Sequence, residues 1–232
     1  MSPYESAWQD VHSRIAKAAR AANRDPGEVR LLAVSKSFPP DAVRAVYALG
    51  QRAFGENYVQ EAVAKMRVLA DLADIEWHLI GPLQRNKTRA AGDAFAWVET
   101  ISRLDVAERL SAARTSRALD VCVQVNISTE SAKSGVAPEG AVALALAVAR
   151  LPRLALRGFM AIAEETPDVG RQRAQFRILR EVSDTTRAAG LAVDTLSMGM
   201  SADLEAAIAE GATLVRVGTA LFGPRVARRE GA

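Results

Sequence analysis

At 232 residues, 49% of them hydrophobic and 25% charged, the chain has the size and balance of one globular domain able to bury a large core. The net charge of +3 is modest, the densest basic clusters (RNKTR at 85–89 and ARR near the C-terminus) lack interleaved aromatics, and so a nucleic-acid surface is not expected. Cys122 as sole cysteine forbids an internal disulfide, His12 and His78 as sole histidines argue against a zinc site, and a charged N-terminus without any apolar run near 20 residues argues against export or a membrane span, so the expected location is the cytoplasm.

Residues 4–22 read as an amphipathic helix ending near Asn23. A regular beat follows, in which short apolar or β-branched runs alternate with polar loops and alanine-rich helical stretches. The runs are RLLAVSK (30–36), AFGEN (53–57), IEWHLIG (75–81), WVETI (97–101), DVCVQVNI (120–127), LALRGFMAI (154–162), DTLSM (194–198) and TLVRVG (213–218). Helical stretches such as PDAVRAVYALG, PEGAVALALAVARL and SADLEAAIAEG separate them, several closing on glycine. Strands alternating with helices imply parallel pairing through right-handed crossovers, and eight repeats imply closure into a barrel. An open doubly wound sheet would place a glycine-rich loop after its first strand, but here SKSFPP follows it. The expected architecture is therefore α/β: a single (β/α)8 TIM-type barrel over residues 1–232, preceded by an N-terminal helix.

Barrel sites are built from strand C-terminal ends and the loops after them. Those positions hold Lys36, Glu56, Asn57, His78, Gly81, Asn126, Met160, Ser197 to Ser201 and Arg216 to Thr219. Lys36 ends the most apolar strand; partial desolvation there lowers a lysine pKa and frees the amine to attack a carbonyl, although a lysine reaching into water fits that residue alone equally well. The chain retains five lysines against twenty-five arginines, a bias that invites a chemical role for a retained lysine. Loops after the seventh and eighth strands of such barrels often bind phosphate. In SMGMSADLEAAI, Ser201 is placed as the helix N-cap, and GTALFG puts Gly218 and Thr219 at the matching turn; capping and tight turning are the plain alternatives. Arg216 shares the facing of Gly218 and needs a ligand or an acidic partner if buried.

The stretches LLAVSKSFP, FGENYVQE, WHLIGPLQRNK, VNISTESAKSGV, LRGFMAI, LSMGMSADLEAAI and LVRVGTALFG resemble the pyridoxal phosphate homeostasis protein family, stand-alone barrels similar to the N-terminal domain of alanine racemases. The resemblance runs from the first strand to the eighth. It implies pyridoxal 5'-phosphate as cofactor, held as a Schiff base on Lys36. Ser201, Gly218 and Thr219 would hold its phosphate, Ser197 and Met198 to Met200 would shape that wall, Arg216 would face the pyridine nitrogen, and Asn57, His78 and Met160 would line the pocket.

Pyridoxal enzymes use the ring as an electron sink, which an arginine at the ring nitrogen weakens. Alanine racemases also carry a second, β-rich domain supplying a tyrosine acid/base. Here the barrel accounts for the chain, with VARREGA after FGPR, and Tyr58 reads as a packed aromatic. The expectation is a monomeric carrier that buffers the cofactor or delivers it to pyridoxal-phosphate-dependent apoenzymes, without catalytic residues. Lys133 and Lys87 are second amines to consider for transfer, though both read first as surface lysines. The competing expectations are a racemase-like enzyme using the same pocket, a phosphosugar aldolase with Lys36 as its Schiff base, and, least favoured, a pure interaction module.

Overall fold

The computed structural model describes residues 3–128 and 134–224. Eight parallel strands close into a barrel in sequence order: β1 (Arg30–Val34), β2 (Ala53–Glu56), β3 (Glu76–Leu79), β4 (Trp97–Ile101), β5 (Leu119–Gln124), β6 (Leu154–Met160), β7 (Thr195–Ser197) and β8 (Leu214–Val217). Closure is made by β1 on β8, with Leu32 beside Arg216 and Ala33 beside Val217. Every barrel strand expected from the sequence is present, with ends displaced by at most three residues.

The helices are α1 (Glu5–Ala21), α2 (Pro40–Tyr47), α3 (Val59–Val68), α4 (Thr88–Ala94), α5 (Leu104–Ala113), α6 (Pro138–Val148), α7 (Val169–Ala188), α8 (Leu204–Ala209) and α9 (Thr219–Phe222). The stretch RNKTR turns once as a 3-10 helix at Arg85–Lys87, with Arg85, Asn86 and Arg89 exposed, and then opens α4. A seven-residue helix containing Gly92 has too little apolar periodicity to declare itself; Gly92 earns its place by letting α4 approach α5, where an added Cβ would lie 3.3 Å from Ala113 Cβ. The N-terminal α1 buries Val11, Ile15 and Ala19 and packs on α8 and α9. Among the described residues no helix is long and apolar enough to cross a membrane.

Strand alternation sends one set of side chains out to the helices and the other into the barrel. The outer set, with Phe54, Phe159, Val215 and their helical partners Phe176 and Leu179, forms the main core. Inside lie two small apolar clusters, one of Leu32, Val34, Ala53, Ile80 and Leu214 and one of Trp97, Cys122 and Met160. The same inward parity carries His78, Glu99, Ser197 and Arg216, all buried.

Candidate functional site

A cavity of about 430 Å³ opens at the C-terminal mouth of the barrel. Its lining includes Lys36, Phe38, Asn57, Ile80, Met200, Ser201, Asp203, Arg216, Gly218 and Thr219, together with Glu165, Thr166 and Gln172 from the loop after β6 and the start of α7.

Lys36 leaves β1 on a constrained turn. Ser35 N donates to Gly55 O at 3.0 Å, while Ser37, at a positive φ of 66°, donates its N–H to Glu61 Oε1 at 2.9 Å. Beneath the turn, Lys65 Nζ donates to Ser35 O at 2.8 Å and to Glu56 Oε1 at 2.5 Å, and Ser35 Oγ donates to the same carboxylate at 2.6 Å. Burial pushes the Glu56 pKa up, and Lys65 and Ser35 only partly offset it. Phe38, two residues past Lys36, stacks on Phe222 of α9 with ring centroids 4.9 Å apart.

Asn57 follows β2 and is pinned by Gly81 after β3: a Cβ on Gly81 would fall 2.1 Å from Asn57 O, so only glycine fits. Asn57 Oδ1 is buried and accepts no hydrogen bond among the described residues. Such an orphaned acceptor in a cavity wall is costly unless a ligand or water supplies the donor.

The opposite wall is the loop between β7 and α8. Gly199 turns it at φ 93°, where a Cβ would lie 2.5 Å from Ala207 Cβ. Met200 N then donates to Asp203 Oδ1 at 2.5 Å, and Arg14 of α1 donates to Ser201 O at 3.0 Å while pairing with Glu205 at 2.8 Å. The expected N-cap role of Ser201 does not hold: α8 starts at Leu204 with Asp203 flanking it, because Ser201 belongs to a turn whose other residues, Ala202 and Asp203, separate it from the helix. Ser201 Oγ instead accepts from Ala220 N at 3.5 Å, tying this loop to the first turn of α9. Ser201, Ala202, Gly218 and Thr219 line this corner of the cavity together. Burial raises the Asp203 pKa against the Met200 N–H and Arg216.

Arg216 lines the cavity although only 4% exposed. Its Nη1 donates to Ser197 O at 2.6 Å and Ser197 Oγ at 2.9 Å, and its Nη2 to Ala161 O at 2.7 Å. Behind it, Ser197 Oγ donates to Glu99 Oε2 at 2.5 Å. His78 Nδ1 lies 2.6 Å from Glu99 Oε1 and its Nε2 lies 2.9 Å from Glu76 Oε1. Burial pulls the His78 pKa down, but the two carboxylates outweigh it and the net shift is upward. The Glu99 carboxyl, pushed up by burial, ends below its usual value because His78, Arg216 and Ser197 stabilise its anion.

Of the residues the sequence nominated, Lys36, Asn57, Met200, Ser201, Arg216, Gly218 and Thr219 meet at the cavity. Ser197, His78 and Met160 do not line it. Ser197 sits behind Arg216, His78 stacks on Trp97 at 5.0 Å deep in the barrel, and Met160 belongs to the Trp97–Cys122 cluster. Each has the inward parity expected of a pocket residue but lies one layer too deep. Lys87 is in the 3-10 turn, away from the lining, and Lys133 lies outside the described residues. Sequence reasoning missed Phe38, Ile80, Asp203 and the Glu165–Gln172 wall. The signal for that wall was its place alone, since AEETPD follows a strand at the mouth where every such loop faces the site.

Residues 9–226 match the family model for the alanine racemase N-terminal domain. The chain is similar to the pyridoxal phosphate homeostasis protein of Pseudomonas aeruginosa, 56% identical over 93% of each chain, and to that of Escherichia coli K12, 47% identical over 93% of this chain and 94% of that one. Among solved structures it is similar to PipY of Synechococcus elongatus with PLP bound, at 39% identity and TM-score 0.79, covering 90% of this chain and all of that one.

Proposed function

Since this chain belongs to the pyridoxal phosphate homeostasis family, built on the alanine racemase N-terminal domain, we propose that it binds pyridoxal 5'-phosphate and buffers or delivers it rather than catalysing a reaction on it. The observation that carries the reading is the convergence of Lys36, Asn57, Arg216, Ser201, Gly218 and Thr219 on one cavity of about 430 Å³, a size suited to a small cofactor.

The residues present fit the group. Its aldehyde supplies an electrophilic carbon that condenses reversibly with a primary amine, and Lys36 is the lysine in the lining. The linkage we propose is a Schiff base on Lys36. Ser201 and Thr219 present hydroxyl donors for an anion, Arg216 offers a guanidinium toward the ring end, and Asn57 Oδ1 offers an unsatisfied acceptor. Met200 and Phe38 give apolar walls.

Two observations support a carrier. The curated relatives are named for homeostasis and not for a reaction. The described lining holds no tyrosine, histidine or cysteine, its ionisable groups besides Lys36 being Glu165, Asp203 and Arg216, and Tyr58 is exposed outside it. Receiving apoenzymes are the partners this role implies. The test is the visible spectrum of the protein with pyridoxal phosphate, followed by borohydride reduction and peptide mapping. Label on the Lys36 peptide, lost in Lys36→Ala, supports the reading. Exchange of the α-hydrogen of alanine in heavy water that disappears in Lys36→Ala overturns the carrier role in favour of a racemase-like enzyme.

A further inference from the structure

The most highly charged part of the barrel interior meets the cavity only at one end, through Arg216. Glu76, His78, Glu99, Ser197 and Arg216 form one hydrogen-bonded chain that crosses the barrel, and His78, Glu99 and Ser197 are fully buried. The donor logic is settled by the partners. The carboxylates on both ring nitrogens only accept, so His78 donates twice as an imidazolium; Ser197 must then donate to Glu99 and accept from Arg216. The chain balances two carboxylates against an imidazolium and a guanidinium. Trp97 stacks on the ring, Arg30 pairs with Glu76 at 2.5 Å, and Cys122 and Asp203 are the other titratable groups acting on Glu99 or Arg216.

Burying His78, Glu99 and Arg216 is expensive, with Glu76 partly exposed at the end of the chain, and apolar side chains of similar volume often fill such a layer without loss of stability. What the chain achieves is direction. Arg216 spends three N–H donors on Ser197 and Ala161, leaving Nε–H and one Nη2 hydrogen, while the side chain still reaches the cavity.

We propose that Glu99 is a positioning residue: acting through the Ser197 hydroxyl, it holds Arg216 so that the two uncommitted N–H groups address the ring-nitrogen end of the bound cofactor. The inference rests on the reading of the cavity as a pyridoxal phosphate site. It extends a site built from strand ends to a residue on β4 that touches no ligand.

The test compares two ligands, pyridoxal phosphate and its deaza analogue, in which a C–H replaces the ring nitrogen. Affinity is read from imine absorbance in the full-length protein, with borohydride labelling of Lys36 as a control. A charged hydrogen bond to that nitrogen makes the wild type prefer pyridoxal phosphate by about tenfold or more. In Glu99→Gln and in Ser197→Ala the preference is expected to fall below about threefold. A merely structural role would weaken both ligands alike and leave the ratio unchanged. Ser197→Ala removes one hydroxyl and keeps every charge, so it carries the test if Glu99→Gln fails to fold. If the wild type discriminates and folded Ser197→Ala discriminates equally, the proposal is overturned while the cofactor reading stands. If the wild type labels at Lys36 but does not discriminate, the role of Arg216 fails and the proposal with it. If no imine forms at all, the cofactor reading itself falls.

Discussion

Replacing Lys65 by methionine isolates the support beneath Lys36. Lys65 and Glu56 form a buried pair at 2.5 Å, with side chains 4% and 0% exposed, and Glu56 Oε2 already lacks a partner. Lys65→Met keeps the aliphatic volume and removes the cation, leaving a dry carboxylate with only Ser35 Oγ. Breaking a buried pair from one side costs about 3–5 kcal/mol. The pH dependence is the sharper test. The Glu56 pKa already lies above its usual value because burial outweighs its partners, and it rises further without Lys65. A group whose folded pKa exceeds its unfolded one adds stability below the unfolded value and loses it as pH climbs through the folded one, at about 1.4 kcal/mol per unit. The penalty of Lys65→Met is therefore expected to be larger at pH 7.5 than at pH 5, by about 2 kcal/mol, in urea denaturation. Adding Glu56→Gln removes the stranded charge and should recover much of the loss at pH 7.5. An equal penalty at both pH values, or a double variant no more stable than the single one, would refute the reasoning.

Gly81→Ala drives a Cβ to 2.1 Å from Asn57 O, so the backbone must shift; a loss of about 2–4 kcal/mol in urea melts and weaker imine formation are expected together. The Glu76 pKa is held at about 2 by the hydrogen bond from His78, against burial and with help from Arg30, so its contribution is present above about pH 4.5 and fades as pH falls toward 2. His78, with its pKa raised, contributes below pH 6.5 and loses that contribution as pH rises through its folded value; His78→Gln should flatten the Tm profile on both sides. Cys122 is fully buried, and burial and then the Glu99 charge push its thiol pKa well above the usual value. A thiol reagent should therefore leave the native protein unlabelled and react once urea unfolds it.

The barrel was legible because its signal is repeated. Eight apolar runs of similar length, each followed by a helix, constrain one another, and a slip of one residue at DTLSM, where β7 is Thr195–Ser197, leaves the closure intact. Lys36, Arg216, Gly218 and Thr219 were legible because they sit at or beside strand ends. Phe38 and Asp203 were not: Phe38 reaches the cavity by stacking on Phe222, and Asp203 by capping the Met200 N–H, and neither partnership leaves a trace in local periodicity. Lys65 was hidden for the opposite reason. In YVQEAVAKMRVLADL a lysine on an amphipathic helix reads as solvent-facing, yet its amine reaches under β1 to Ser35.

Depth within the barrel was the dimension the strand pattern did not resolve. Inward parity places His78, Met160 and Ser197 in the same column as true lining residues, but a column in a barrel has several layers, and only the topmost meets the cavity. On β3 the inward positions are Glu76, His78 and then Ile80, and only Ile80 lines the mouth. A cue to the layer below was available in the charges. IEWHLIG and WVETI each place an ionisable group inside a strand of an all-parallel sheet, where an uncompensated charge costs several kcal/mol. Such groups must find one another, and with Arg216 also inward the sequence held two carboxylates, a histidine and an arginine of matching parity. Read as a set that has to balance, these four would have pointed to a hydrogen-bonded layer beneath the site and would have moved His78 from the cavity wall to its foundation, where Glu76 and Glu99 hold it.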